Sequence, residues 1–407
     1  MKIVVSHTTA VSLALSPRAH RQRVIEQWSA NPNLPLSLNM RCLLQADIEA
    51  LAKRLADEIS KPTPAELAQA KRHATQDVLK QYGVARSAYR EPLLGELLQT
   101  GPEDFEPATL AQAHVPDLQA LKAMPIFEQL RQPIHAIVPS DSARRNSHVL
   151  ICHVQQGAAL SVVPCCNDLW MTSPESTLLQ IASMLNPKID LVALTVLCSE
   201  FFACYVADPA TPGSMLRRQP LTSPERVTDF LAECGKARGK ALLTKAVSLS
   251  VSVCASPPEI ALALFAKFPR CKGGYALEGF VCNKIMQTPS GGQLIVDLCN
   301  EERHVAIEYQ GHEAHSSVTQ LDADTERDAT LRLLGYKPMK ASRTTMRDIE
   351  HLDKFMIGSV AAALGRTRQA EFAKYEDRRR ALRTEMFSAL GHKYLNALPS
   401  ADAAASS

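Results

Sequence analysis

A chain of 407 residues with 46% hydrophobic and 21% charged side chains is long enough for two or three domains with real cores, which excludes a disordered or fibrous polymer. Its net charge of +3 permits a nucleic-acid partner without arguing for one, because whole-chain charge governs solubility and steering rather than a site. No apolar run approaches membrane-spanning length, and the opening MKIVVSHTTAV turns polar after Val5, so neither a membrane span nor a signal peptide is predicted.

Residues 1–115 predict a mainly helical N-terminal region. Lys2-Ile3-Val4-Val5 reads as a short strand, and Ser6-His7-Thr8-Thr9 as the cap of a helix beginning at Ala10. Pro32 and Pro35 mark a loop. Over Ala46–Ile59 and Pro64–Leu79 apolar residues recur at helical spacing with charges opposite, and Thr63-Pro64-Ala65-Glu66 is a capping sequence for the second helix. Lys53, Arg54, Lys71 and Arg72 on these helices face either a phosphate backbone or, as charge runs more commonly do, water.

Residues 116–250 predict a mixed α/β region. Ile134–Val138, Ser147–Ile151 and Leu160–Val163 are short β-type runs with turns between them. Helices are predicted from Thr177 to Met184, from Leu191 to Val206 as a buried element, and after Ser223-Pro224-Glu225. His135, His148 and His153 lie in the strand-like runs with no acid at ligand spacing, and are expected to be structural. The eleven cysteines contain no C-x-x-C pair and only the adjacent Cys165-Cys166, which fits reduced thiols in a cytoplasm rather than a disulfide framework or a zinc site.

Residues 255–368 carry the pattern that says most. A helix opened by Ser256-Pro257-Pro258-Glu259 runs to about Phe268, and an extended segment covers Ala276–Met286. Two β-branched runs then follow, one holding Asp297 and the other ending in Glu308-Tyr309-Gln310-Gly311, and read as a hairpin of buried strands. A helix over Gln320–Leu334 stops at Gly335, and Tyr336–Ala341 closes the sheet. Residues 369–407 predict a charged helix over Glu371–Arg383 and a disordered tail. A buried carboxylate is costly unless it is paired or holds a metal, so two of them on neighbouring strands point to a divalent cation and to phosphodiester hydrolysis.

The predicted fold class is α/β, or α+β over the whole chain. The order helix, strand, strand, strand, helix, strand, with Asp297 on one strand and Glu308-x-Gln310 on the next, resembles the αβββαβ core of the restriction-endonuclease-like PD-(D/E)XK fold with its mixed sheet. Within that fold it is similar to the very-short-patch-repair-like endonuclease domains. Ser256-Pro257-Pro258-Glu259, Pro269 and Gly273-Gly274-Tyr275 match the family's opening, and Ile307–Gly311, His315-Ser316, Asp324-x-x-Arg327 and Leu334-Gly335-Tyr336 its later motifs. A second resemblance, carried by Val5–Thr8 and Ser173-Pro174-Glu175, is to the N-terminal part of proteins that join such a nuclease to a type IV antitoxin-like region.

The resemblance implies a Mg²⁺-dependent endonuclease acting on DNA in the cytoplasm, in a setting of defence against foreign DNA. Asp297 and Glu308 hold the metal in this reading, and Glu259 adds a carboxylate through a water. Gln310 stands where the family has Lys or Asp, so it orients water but brings no charge. His312 or His315 serves as general base or binds the scissile phosphate, and Arg327 meets a phosphate or pairs with Asp324. The competing account makes Asp297 an edge-strand acid facing water and Glu308 a buried acid paired with an arginine. It leaves a DNA-binding, antitoxin-like or transcriptional regulator that keeps the nuclease fold as a scaffold.

Overall fold

The hydrophobic runs fold into mixed α/β architecture with two large mixed sheets and helices around them. The computed structural model describes residues 3–60, 62–105, 118–124, 126–127, 130, 132–154, 161–166, 169–184, 189–207, 215–311, 318–365 and 372–393. They fall into two units, the first comprising Met1–Ile181 and Cys204–Ser223, the second Ala182–Ala203 and Pro224–Leu398. Among the described residues no helix is long and apolar enough to cross a membrane.

The first unit is built on β1 (Ile3–Val5), whose three residues are all buried. It pairs antiparallel with β2 (Ile134–Val138) and parallel with β5 (Leu169–Thr172), while β3 (Leu150–Val154) and β4 (Val162–Pro164) complete the order β3-β2-β1-β5-β4. A continuous Ile-Val-Val run suits a central strand covered on both faces. The expected boundary near residue 115 therefore does not separate two domains, because the N-terminal strand is the middle of the sheet that the central region forms. Helix α1 (His7–Ala14) starts three residues earlier than its cap predicts, with His7 in the left-handed region at φ +50°.

Helices α2 (Pro17–Ala30), α3 (Leu38–Asp57) and α4 (Pro64–Gln81) pack Val24, Leu43, Leu44, Ile48 and Val78 into one cluster. The predicted capping box is present: Glu66 N–H donates to Thr63 Oγ1 and Thr63 N–H to Glu66 Oε2 at 2.7 Å. Lys53, Arg54, Lys71 and Arg72 are exposed, and Lys71 pairs with Glu91 at 3.2 Å. Short helices α5 (Leu94–Gln99) and α6 (Leu118–Lys122), helix α7 (Pro174–Ser183) and the hairpin of β6 (Tyr205–Val206) and β7 (Leu216–Arg217) accompany this core.

In the second unit α8 (Leu191–Phe201) is buried on nearly every side, as its apolar run predicts, and Asp190 caps it through Ala193 N–H at 2.7 Å. It ends at Phe201, short of the Val206 expected. Helices α9 (Pro224–Glu233) and α10 (Lys240–Leu249) lead to α11 (Pro257–Lys267). Strands β8 (Phe280–Gln287), β9 (Gln293–Asn300) and β10 (Val305–Gln310) then run antiparallel to one another, α12 (Val318–Leu333) crosses over, and β11 (Lys337–Ser342) adds parallel to β10. The element order is the one predicted, in a mixed sheet ordered β11-β10-β9-β8.

Helices α13 (Arg343–Met346), α14 (Ile349–Phe355) and α15 (Glu376–Leu390) close the unit. The charged C-terminal helix is therefore not an appendage beyond residue 368. Arg379, only 3% exposed, holds both oxygens of Asp353 at 2.7 and 2.8 Å, and Tyr275 donates to the same carboxylate at 2.5 Å. The Gly273-Gly274 pair lets this tie form. A Cβ on Gly274 would stand 2.0 Å from the Phe268 carbonyl oxygen, and one on Gly273 2.2 Å from that of Arg378. Gly274→Ala is expected to destabilise the second unit by about 3 kcal/mol or more. Gly358→Ala, with open space around its Cβ, is expected to change stability by no more than about 1 kcal/mol. Urea denaturation of the two variants checks the contrast.

Candidate functional site

The hairpin brings Asp297 and Glu308 together. β9 and β10 pair Val305 with Asn300, Ala306 with Cys299 and Ile307 with Leu298. One further step in that register sets Glu308 opposite Asp297, on the same face of the sheet. There the backbone ladder gives way to a side chain: Tyr309 N–H donates to Asp297 Oδ2 at 2.7 Å. The row extends on both sides, since the β8 register sets Asn283 opposite Asp297 and the β11 register sets Lys340 beside Glu308.

Glu259 joins the row from the first turn of α11. Ser256 Oγ donates to its Oε1 at 2.8 Å, and Ala255 N–H and Asn283 Nδ2 donate to its Oε2 at 2.8 and 2.9 Å. The same acid thus steadies the helix start and carries negative charge towards Asp297. Burial, with the neighbouring charge of Glu259 and then of Glu308, pushes Asp297 up to about 7, against the pull of the Tyr309 N–H and of Arg327. This is not the solvent-facing edge acid of the competing account.

Glu308 is buried, and its partner is Arg327 of α12. The Arg327 Nε–H donates to Glu308 Oε1, and its terminal nitrogen donates to the Ile295 carbonyl. That matches the competing account of Glu308. It also corrects the role expected of Arg327, which is committed to the sheet rather than to a phosphate or to Asp324. Lys340 is likewise engaged, 3.2 Å from Asp328. Gln310 is exposed at the end of β10, where its amide donates to Asp324 Oδ2 at 3.4 Å. His312 and His315 lie outside the described residues.

A groove of about 470 Å³ lies against the residues that neighbour these acids in sequence. Pro258 and Tyr309 form part of its wall, and Arg343, Arg347 and Arg383 supply positive charge. Arg347 pairs with Asp348 at 3.1 Å and Arg383 donates to the Met346 carbonyl at 2.8 Å, while Arg343 is exposed and has no acidic partner among the described residues. The sequence reading passed over these arginines. The signal for them was position, since Arg343 immediately follows β11, and ligands of open α/β sheets gather beyond the carboxyl ends of parallel strands.

The histidines expected to be structural form a second cluster, in the first unit. His135 and His153 stand on adjacent parallel strands, two residues apart in register, and His7 at the start of α1 stacks on His153 with ring centroids 4.0 Å apart. His148 is exposed and apart from them. Among the described residues, His7, His135 and His153 are the one set of three or more potential ligands whose donor atoms all lie within 4.8 Å of one another, so the three acids of the second unit do not meet that spacing. What the sequence conceals here is that β1 inserts beside β2 and carries His7 to the other two. Comparison with family models, curated proteins and solved structures finds no match.

Two predictions test the electrostatics of the acid row. The folded value of Asp297 lies above the ordinary 3.8, so its ionisation weakens the fold progressively between about pH 4 and pH 7, and fully above that. Asp297→Asn keeps an acceptor for Tyr309 N–H. It is expected to be more stable than the wild type by about 1–3 kcal/mol at pH 8, with the difference gone by pH 4, as read from urea midpoints. Arg327→Met strands the buried Glu308 and is expected to lose about 3–5 kcal/mol, much of which Glu308→Gln added to it restores. A double-mutant cycle in stability measures that coupling.

Proposed function

We propose that the second unit is a DNA-acting module with a restriction-endonuclease-like core, and that its acid row serves phosphodiester hydrolysis. The observation that carries this reading is the meeting of Asp297 and Glu308 where the β9–β10 ladder ends, next to residues that wall an arginine-lined groove. The predicted order of helices and strands and the sheet order β11-β10-β9-β8 support the fold assignment. The eleven cysteines, none of them in a disulfide among the described residues, support a reducing compartment, as a cytoplasmic DNA-acting protein requires. Defence against foreign DNA is the setting that such a module suits.

By charge the row fits a divalent cation. Three carboxylates, Asp297, Glu259 and Glu308, are gathered with the one guanidinium of Arg327 on Glu308, and burial, then the charges of Glu259 and Glu308, raise Asp297 to about 7. Asp297 and Glu308 would hold Mg²⁺, with Glu308 exchanging Arg327 for it. Bound there, the cation supplies an activated water and offsets charge on the phosphate. The chain's own groups do the rest. Tyr309 N–H fixes one oxygen of Asp297, and the bonds from Ser256, Ala255 and Asn283 fix Glu259. Arg343 and Arg347 bind the phosphodiester backbone, and the Gln310 amide, steadied by Asp324, orients water without adding charge.

The Glu308–Arg327 pair and the uncharged Gln310 favour a second reading, a DNA-binding regulator with an antitoxin-like first unit and a nuclease fold that performs no chemistry. One experiment separates the two. Labelled duplex, nicked and mismatched DNA is incubated with the full chain and Mg²⁺ or Mn²⁺, in parallel with binding measured against salt. The proposal expects cation-dependent cleavage that Asp297→Ala lowers by at least about 100-fold. Binding without cleavage, unchanged in Asp297→Ala, establishes the regulator instead. In either case Arg343→Ala should weaken binding and reduce the salt slope by about 1. Absence of any DNA binding by the wild type contradicts both readings.

A further inference from the structure

We infer that His7, His135 and His153 constitute a binding site for a divalent transition metal of the zinc type, separate from the acid row. The strands do most of the positioning. In the parallel β2–β3 ladder His135 pairs with Ile151 and Ile137 with His153, so the two histidines share a face on a diagonal, and His135 Nδ1 lies 2.8 Å from His153 Nε2. β1, antiparallel to β2, delivers the third ring: Ser6 N–H donates to the His135 carbonyl at 2.9 Å, and His7 follows directly. Thr9 Oγ1 accepts from His135 N–H at 2.9 Å, fastening α1 to the same strand.

Three features point to a ligand rather than to packing. His7 takes φ +50°, a conformation L-residues avoid, and its N–H donates to Gln180 Oε1 at 3.2 Å. Unfavourable backbone of this kind persists where the surroundings impose it, and here it turns the ring onto His153. His7 Nδ1 lies 2.9 Å from Ser6 Oγ. An imidazole that gives one nitrogen to an oxygen keeps the other for a metal, which is the usual outer-sphere arrangement of histidine ligands. Finally, His135 makes its side-chain polar contact through Nδ1, the nitrogen that faces His153, while its Nε2 is buried without a partner among the described residues, so the ring is held only from the side where the ion would sit.

The spacing suits one ion. Two nitrogens on a tetrahedral zinc, each at about 2.0–2.1 Å, stand about 3.3 Å apart, so the 2.8 Å pair needs to open by only about half an ångström. A set of imidazoles alone selects zinc, cobalt, nickel or copper over Mg²⁺ and Ca²⁺, which require oxygen donors. Three protein ligands leave a fourth position for water or a small donor, and the partial exposure of His7 and His153 gives access to it.

The test uses the full chain, stripped with a chelator, dialysed, and titrated with Zn²⁺ and separately with Co²⁺. One equivalent of each is expected to bind, with the visible bands of tetrahedral cobalt and no thiolate-to-cobalt charge-transfer band, and Zn²⁺ should raise the melting temperature. His135→Gln and His153→Gln should abolish stoichiometric binding, and His7→Gln should weaken it at least about tenfold. Circular dichroism checks each variant. If the strand variants do not fold, the partly exposed His7→Gln decides. Substoichiometric binding, a thiolate signature, or unchanged affinity in His7→Gln overturns the inference. The outcome is independent of DNA cleavage, which the acid row governs.

Discussion

A carboxylate withdrawn from water must find positive charge, a hydrogen-bond donor or a proton, and the second unit is arranged around that requirement. Glu308 takes the first solution through Arg327, Glu259 takes the second through Ser256, Ala255 and Asn283, and Asp297, whose donor among the described residues is Tyr309 N–H, is pushed towards the third. The guanidinium also bonds the Ile295 carbonyl on β9, so one side chain of α12 binds the crossover helix to two strands of the sheet. Charge compensation and the packing of α12 are here the same interaction. In the proposed reading the same pair is also what a cation would have to displace.

Much of the second unit was legible in sequence because its signals are local. The β-branched runs around Asp297 and Glu308, the stop at Gly335 and the start at Ser256-Pro257-Pro258 each act over a few residues, and each marks an element present in the fold. The meeting of the acids followed from hairpin register alone. The partner of Glu308 did not. Arg327 lies three residues beyond Asp324 on a helix, where the local pairing is the obvious one, and only the crossing of α12 over β10 brings it to Glu308 instead. Arg379 was hidden in the same way: within a run of charges it reads as a solvated face, but it is a buried anchor for Asp353.

The first unit was less legible, since its sheet is assembled from distant segments. A three-residue strand at the chain start gives no indication that it will become the centre of a five-stranded sheet beside residues 134–138 and 169–172. Once it does, His7 arrives beside His135 and His153, and three residues with no ligand spacing in sequence acquire one in space. The two units thus collect different donors. Imidazole nitrogens gather in one and carboxylate oxygens in the other, which on chemical grounds separates a borderline transition metal from a hard divalent cation.

The account turns on whether Glu308 can exchange its guanidinium for an ion shared with Asp297. Crystals grown with Mn²⁺ and measured at a wavelength where manganese scatters anomalously address this directly. The account predicts an anomalous peak between the two carboxylates, with the Arg327 side chain withdrawn from Glu308. An intact Glu308–Arg327 pair, with no peak in the acid row, would contradict it and leave a DNA-binding scaffold.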